Sequence, residues 1–244
     1  ALDDRDAALR WGPERIAVAG GDGSIGSAAE AAAQAAVPLA VIPTGTANDF
    51  ARALDLPFDL EAACRLAVVG ERVRRLELAW LGERAFVNAA SLGLSPAAAR
   101  RAHGIKRLLG PLAYSVGALH AGLTARPVAC RVGCDGETLF TGSAWQVTVA
   151  SSGAFGGGSR VIADPHDGRL DVVVIEARSR VWLVMHAYGL RRGRVEAQSG
   201  VRSTRARSIE VHAEAGAFNV DGEVVDAEHA SFRVEPEAFA LVTS

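Results

Sequence analysis

The sequence predicts an α/β fold in two domains. Two short apolar strands near the start each run into a glycine-rich loop and then a helix, which is a compact βαβ arrangement. After about residue 127 the texture changes to short apolar or alternating stretches separated by Asp-Gly turns, as in an antiparallel β-rich domain. Apolar residues make up 49% of the 244, enough to build real cores. The expected division is an α/β domain over residues 1–71 and a β-rich domain over 72–235. Residues 236–244 either finish the second domain or return to the first.

Residues 3–10 read as the end of a helix, broken at Trp11-Gly12-Pro13. The short run Ile16 to Ala19 suits a parallel strand buried on both faces. Ser24 to Ala36 is an alanine-rich helix, able to approach a sheet closely, and Val37-Pro38 ends it. Leu39 to Ile42 forms the second strand, followed by a loop and a helix reaching about Leu54; a further helix spans Leu60 to Val69 and closes at Gly70. Val73 to Trp80 and Arg84 to Ala90 flank Leu81-Gly82-Glu83 as a hairpin. Residues 97–124 read as helical, with breaks at Gly104 and Gly110-Pro111. The later strands are Val128 to Val132, Ala144 to Ser151, Leu170 to Glu176, Ser208 to Ala213 and Ala217 to Val220, with turns at Asp135-Gly136, Asp167-Gly168 and Asp221-Gly222.

A formal net charge of -2 gives no reason to expect nucleic acid as a partner. Cys64, Cys130 and Cys134 are sparse and odd in number, which fits a reducing, cytoplasmic setting, and Cys130 and Cys134 read as buried small hydrophobes. No run of about 18 apolar residues is present, so no transmembrane span is expected, and Ala1-Leu2 leads straight into charged residues rather than a signal peptide. None of the histidines shows metal-ligand spacing; they read as structural or surface residues.

The chemistry is concentrated in the two loops. In Gly20-Gly21-Asp22-Gly23-Ser24, the glycines permit close backbone approach, and the following helix offers N–H groups and its positive end to an anion. A carboxylate beside phosphate needs a cation between them, which makes Mg²⁺ the natural partner of Asp22. Ser24 could cap the helix or donate to phosphate. In Pro43-Thr44-Gly45-Thr46-Ala47-Asn48-Asp49, Gly45 lets the backbone turn, Thr44 and Thr46 offer hydroxyls, and Asn48 or Asp49 caps the next helix or contacts a ligand. Neither loop is a P-loop, because residues 1–105 contain no lysine. Gly21-Asp22-Gly23-Ser24-Ile25-Gly26 has dinucleotide-fingerprint spacing, but no matching acidic residue closes a second strand.

Gly-Gly-Asp-Gly-Ser followed by Pro43-Thr44-Gly45-Thr46-Ala47-Asn48-Asp49-Phe50-Ala51-Arg52-Ala53-Leu54 resembles the diacylglycerol kinase catalytic family, which includes bacterial soluble lipid kinases and sphingosine kinases. The resemblance continues at Asn88-Ala89-Ala90-Ser91-Leu92-Gly93, Phe155-Gly156-Gly157-Gly158, Asp167-Gly168-Arg169-Leu170-Asp171 and Asp221-Gly222-Glu223, so it spans nearly the whole chain. It implies a Rossmann-like nucleotide-binding domain and a sandwich-like β-rich domain with the active cleft between them. It also implies ATP as donor, Mg²⁺ as metal and a lipid hydroxyl as acceptor. The nucleotide phosphates would lie on Gly20, Gly21, Gly23, Ser24, Thr44, Gly45, Thr46 and Asn48. Asp22 matches the aspartate that acts at the nucleotide–metal centre and is a candidate for activating the acceptor hydroxyl. Asp221 and Glu223 match the acidic pair that completes the site, with Asp221 also a metal candidate, and Asp167 matches part of a structural metal loop of some bacterial members. On the residues alone, Asp221-Gly222-Glu223 and Asp167-Gly168 also read as plain turns.

The chain departs from the family pattern at three places. The usual opening strand with its Asn-Pro-x-x-Gly loop has no match in residues 1–15. Either this chain is a fragment or that region is lost; as written, the nucleotide domain is expected to lack that strand and adenosine binding would suffer. Gly26-Ser27 stands where many relatives have Asn-Glu, and the acidic loop at Asp164-Pro165-His166-Asp167 is shorter than usual. A lipid kinase must visit the bilayer, and Arg100, Arg101, Lys106 and Arg107 beside Leu108, Leu109, Leu112, Tyr114 and Leu119 would suit transient peripheral contact, or simply a solvated basic face over the second domain. Arg191-Arg192-Gly193-Arg194 and the series Arg202, Arg205, Arg207, alternating along a strand, could hold phosphate or nothing. An exposed edge strand of the second domain could pair across a homodimer. The expected activity is ATP-dependent phosphorylation of diacylglycerol or a related lipid alcohol. The alternatives are a catalytically impaired nucleotide- or lipid-binding homologue and a kinase of a soluble metabolite.

Overall fold

A computed structural model describes residues 12–94, 126–152, 154–155, 159–160, 167–180, 182, 199–214 and 216–244. Strand β1 (Ile16–Gly20) pairs in parallel with β2 (Leu39–Pro43), in a register running from Ile16↔Leu39 to Gly20↔Pro43. Helix α1 (Asp22–Ala35) makes the crossover between them and buries Ile25, Gly26, Ala28, Ala29, Ala31 and Ala32. That small-residue face works as the sequence suggests. A Cβ on Gly26 would lie only 2.8 Å from the carbonyl oxygen of Ala85, so the helix rides directly on the sheet. Strand β1 departs from expectation: Ala17 and Ala19 are exposed and only the alternate residues are half-buried. Among the described residues it pairs with β2 alone, which leaves it an edge.

Helix α2 (Asp49–Ala53) is short, and α3 (Leu60–Val69) follows. Asp59 caps α3 by accepting from the Ala62 N–H at 2.9 Å. At the other end, the Arg15 guanidinium donates to the Ala67 and Gly70 carbonyls at 2.7 and 2.6 Å, placing a cation where the helix dipole favours one.

The remaining strands are β3 (Val73–Leu81), β4 (Arg84–Phe86), β5 (Ala89–Gly93), β6 (Val128–Cys134), β7 (Glu137–Ala150), β8 (Ala154–Phe155), β9 (Ser159–Arg160), β10 (Leu170–Glu176), β11 (Val201–Ala206), β12 (Ser208–Ala213), β13 (Ala217–Val220), β14 (Glu223–Asp226) and β15 (His229–Val242). Apart from β8 and β9, which form a separate pair, hydrogen bonding links the strands in the order β1-β2-β15-β12-β6-β7-β5-β13-β14, with β3 and β4 branching from β15 and β10 and β11 from β7. The predicted second arm of the Val73–Ala90 hairpin is broken into β4 and β5, because the backbone between them is drawn toward Asp221. The segment read as helical over 97–124, with its basic and apolar residues, and Arg191 to Arg194 lie outside the described residues.

Two cores result. Ile25, Leu39, Val41, Phe50, Leu76, Leu78, Phe239 and Leu241 pack in the α/β part, and Ala79, Leu81, Phe86, Leu92, Val132, Val147, Val172, Ile209, Phe218 and Phe232 pack in the β-rich part. Strands β3 and β15 contribute to both. Along β15, His229 to Arg233 pair with β12, while beyond a bulge between Glu235 and Phe239 the strand meets β2 in parallel at Leu241↔Leu39. The architecture is therefore a Rossmann-like α/β unit joined to a β-sandwich unit. Among the described residues no helix is long and apolar enough to cross a membrane.

Candidate active site

The strand-end loops after β1 and β2 touch through backbone. A Cβ on Gly45 would fall 2.5 Å from the Gly21 Cα and 2.6 Å from Asn48 Oδ1, a contact that leaves room only for glycine. The Thr44 N–H donates to the Gly20 carbonyl at 3.0 Å and extends the parallel ladder into the loops. Asn48 is buried in a left-handed conformation (φ 49°), and its amide bonds the Gly45 N–H and carbonyl, each at 2.9 Å. It therefore holds the loop's shape rather than facing outward. Thr44, Gly45, Thr46 and Ser24 are exposed at the rim. Ser24 does not cap α1. The helix begins at Asp22, its N-cap is Gly21, and no side chain supplies the cap.

Asp22 accepts from the Asp49 N–H at 3.1 Å, the Phe50 N–H at 2.9 Å and the Asn88 amide at 3.0 Å. The sequence placed the cap of α2 at Asn48 or Asp49, yet neither side chain serves; the aspartate of the first loop caps the helix of the second. Asp22 Oδ2 takes only one of these bonds and keeps a lone pair for a further partner.

Asp221 and Gly222 form the β13–β14 turn, with φ of 48° and 95°. A Cβ on Gly23 would lie 3.3 Å from Glu223 Oε1 and 3.4 Å from the Asp221 carbonyl, so this turn sits directly over the start of α1. The Asp221 carboxylate accepts from the N–H groups of Val87, Asn88 and Ala89 at 2.8, 3.1 and 3.0 Å. These bonds pull residues 87–88 out of the hairpin. Burial pushes the Asp221 carboxyl up to about 7; the charge of Asp22 adds to the rise and the three N–H donors oppose it. Glu223 differs from both, with its side chain 58% exposed and paired with Arg84.

Sequence reasoning did not single out Asn88 as a site residue, although it joins the whole cluster. It is 3% exposed, bonds Asp22 through its amide nitrogen, and accepts from the Ser152 hydroxyl at 2.8 Å. Its carbonyl accepts from the Ser151 and Ser152 N–H groups at 2.9 and 3.3 Å. Buried Glu77 continues the seam, taking the Ser151 hydroxyl at 2.9 Å and the Gly168 N–H at 3.0 Å. An asparagine amid Phe86-Val87 and Ala89-Ala90 was the available signal, since a buried amide needs partners.

Among the described residues the Asp167 side chain bonds none of these groups, although its neighbour Gly168 donates to Glu77. The Asp167 carboxylate accepts from the Arg169 N–H at 2.9 Å and from Arg205 at 3.2 Å. Arg205 also bonds Asp171, and Arg202 bonds Glu176, so both arginines sit against acids of β10 and its turn rather than in an open anion site. Cys130 and Cys134 are buried in the sandwich core, where burial pushes both thiols up to about 11.

The residues present fit the expected ligands. An uncapped helix start beside exposed hydroxyls suits phosphate oxygens, and the carboxylates of Asp22, Asp221 and Glu223 are the hard oxygen donors that Mg²⁺ takes.

Comparison with known proteins agrees with this architecture. Residues 4–81 match the diacylglycerol kinase catalytic domain, and residues 88–243 match the YegS C-terminal NAD kinase beta sandwich-like domain. A Pseudomonas putida protein described as "Probable lipid kinase YegS-like" is 32% identical over 96% of this chain and 78% of its own length. A Mycobacterium tuberculosis protein described as "Diacylglycerol kinase" is 28% identical over 88% of this chain and 71% of its own. A crystal structure from Bacillus anthracis superposes with a TM-score of 0.79 at 22% identity, covering 99% of this chain and 83% of that one, which is a likeness of fold. With both domain models matched in order over nearly the whole length, the chain belongs to the YegS-like family of bacterial lipid kinases, built on the diacylglycerol kinase catalytic domain.

Proposed function

We propose that this protein transfers the γ-phosphate of ATP to the hydroxyl of diacylglycerol or a related lipid alcohol, working transiently at a membrane surface. The observation that carries the reading is the β13–β14 turn seated on Gly23, which sets the Glu223 carboxylate and the Asp221 carbonyl against the residue after Asp22, beside two backbone-packed glycine loops. The Mycobacterium tuberculosis relative's description as a diacylglycerol kinase favours that acceptor over a soluble one.

In this reading the phosphates lie on Gly20, Gly21, Gly23 and the start of α1, with Ser24, Thr44 and Thr46 donating hydroxyls, Gly45 permitting the approach and Asn48 fixing the loop. Mg²⁺, held by Asp22 with Asp221, would supply neutralising charge for the transferring phosphate. The acceptor oxygen forms its bond to the γ-phosphorus as the bond to the β,γ-bridging oxygen breaks and ADP leaves. The acceptor proton passes to a carboxylate, with Asp22 the first candidate and Glu223 the more accessible one. Asp167 has no part in this step.

A second reading, a nucleotide- or lipid-binding homologue without turnover, is favoured by one observation: all three bonds of Asp22 serve to hold α2 and Asn88. The test is radiolabelled ATP transfer into an extracted lipid mixture in detergent micelles with Mg²⁺, the product identified by mass spectrometry. A labelled lipid supports the kinase and names the acceptor. Binding of ATP without product favours the second reading, and label appearing only in a soluble alcohol would transfer the assignment to a metabolite kinase.

A further inference from the structure

The sequence suggests no metal role for any histidine, but strand pairing brings two of them together. Glu210 and His212 are two apart on β12 and so share a face; His229 opens β15 directly opposite His212, and Ser231 stands opposite Glu210. The two imidazoles stack at 4.2 Å between centroids and 9° between planes. His229 Nε2 lies 2.6 Å from Glu210 Oε2, and one donor atom from each of Glu210, His212 and His229 falls within 4.8 Å of the others. The Ser231 hydroxyl holds the second carboxylate oxygen, Glu210 Oε1, at 2.8 Å.

We infer that Glu210, His212 and His229 form a binding site for a borderline transition-metal ion such as Zn²⁺, separate from the phosphoryl-transfer site. Two imidazoles and one carboxylate select such ions, whereas Mg²⁺ and Ca²⁺ prefer all-oxygen shells. Donors around one tetrahedral Zn²⁺ at about 2.0–2.1 Å stand roughly 3.4 Å apart, so binding turns the two exposed imidazoles out of their parallel stack until both nitrogens face the ion. An antiparallel ladder fixes their backbone positions, and the Ser231 bond orients the carboxylate as an outer-shell partner does. Three protein donors leave a fourth position for water. The ion ties the start of β15 to β12, and β15 is the strand shared by both cores.

The experiment is isothermal titration of Zn²⁺ into chelator-treated protein, with thermal unfolding followed in parallel. One equivalent binds saturably, raises the unfolding temperature and is not displaced by excess Mg²⁺. His212→Ala and His229→Ala each weaken binding by at least about 10-fold, and Ser231→Ala weakens it by about 10-fold while leaving the donors in place. All three positions lie outside the phosphoryl-transfer residues, so lipid phosphorylation by the variants, where the protein has it, stays at the unsubstituted level. Absence of saturable Zn²⁺ binding overturns the site, as does binding that survives combined replacement of His212 and His229 in a protein with an unchanged circular dichroism spectrum.

Discussion

Asp22 adds a side-chain tie between two loops that already touch through backbone. Its carboxylate closes the start of α2 across a separation of 27 and 28 residues and takes the Asn88 amide from the strand beyond. Replacing it with alanine strands two helix N–H groups and a buried amide, which costs about 1–3 kcal/mol and is read as a lower urea midpoint. If it also acts in catalysis, Asp22→Ala lowers turnover by about 10²–10⁴-fold, far beyond what that loss of stability explains. Asp221 carries the pH dependence. With its carboxyl raised from 3.8 to about 7, its protonated form is favoured by folding. Its contribution to stability is fully present below about pH 4 and is lost as pH rises toward 7. Asp221→Asn removes that slope, which urea midpoints measured from pH 4 to 8 check directly.

At the scale of elements, many of the regular pieces were legible in the sequence, though β14 and most of the long β15 were not. Strands β2, β10, β12 and β13 and helix α3 lie within a residue of where apolar pattern and turn residues put them. The break between β4 and β5 was not legible, because the groups that open it come from Asp221, 132 to 134 residues away. Strand β7 was read as starting at Ala144 but begins at Glu137, since its first half is mostly polar and exposed and its one apolar pair, Leu139-Phe140, is too short to mark a strand. Both loops were found as phosphate-binding candidates, while their direct contact was invisible until the fold set Gly45 on Gly21. That contact yields a prediction of its own: Gly45→Ala forces apart two backbones that approach to 2.5 Å of the new methyl and destabilises the protein by about 1–3 kcal/mol. A loss of ATP affinity in equilibrium binding should accompany it.

At the scale of the molecule, β3 and β15 bind the two cores into one body. Leu76, Leu78, Phe239 and Leu241 lie in the α/β core, while Ala79, Leu81 and Phe232 on the same two strands lie in the sandwich core. We propose the division at residues 71 and 72, with 236–244 rejoining the first part, as a division of chemical labour and not of stability. Leu241→Ala, at a fully buried site, should then cost about 2–5 kcal/mol, with near-ultraviolet and far-ultraviolet circular dichroism melting together. The contact between the β13–β14 turn and the start of α1 sets Asp22 near Asp221 and Glu223. Lipid phosphorylation by the unsubstituted protein and by Asp22→Asn, measured side by side with radiolabelled ATP and diacylglycerol micelles, tests that meeting of acids most directly. A drop of about 100-fold or more in turnover, with the protein still folded, is the predicted result. Turnover within a few-fold of the unsubstituted protein would contradict it and leave Asp22 a structural cap.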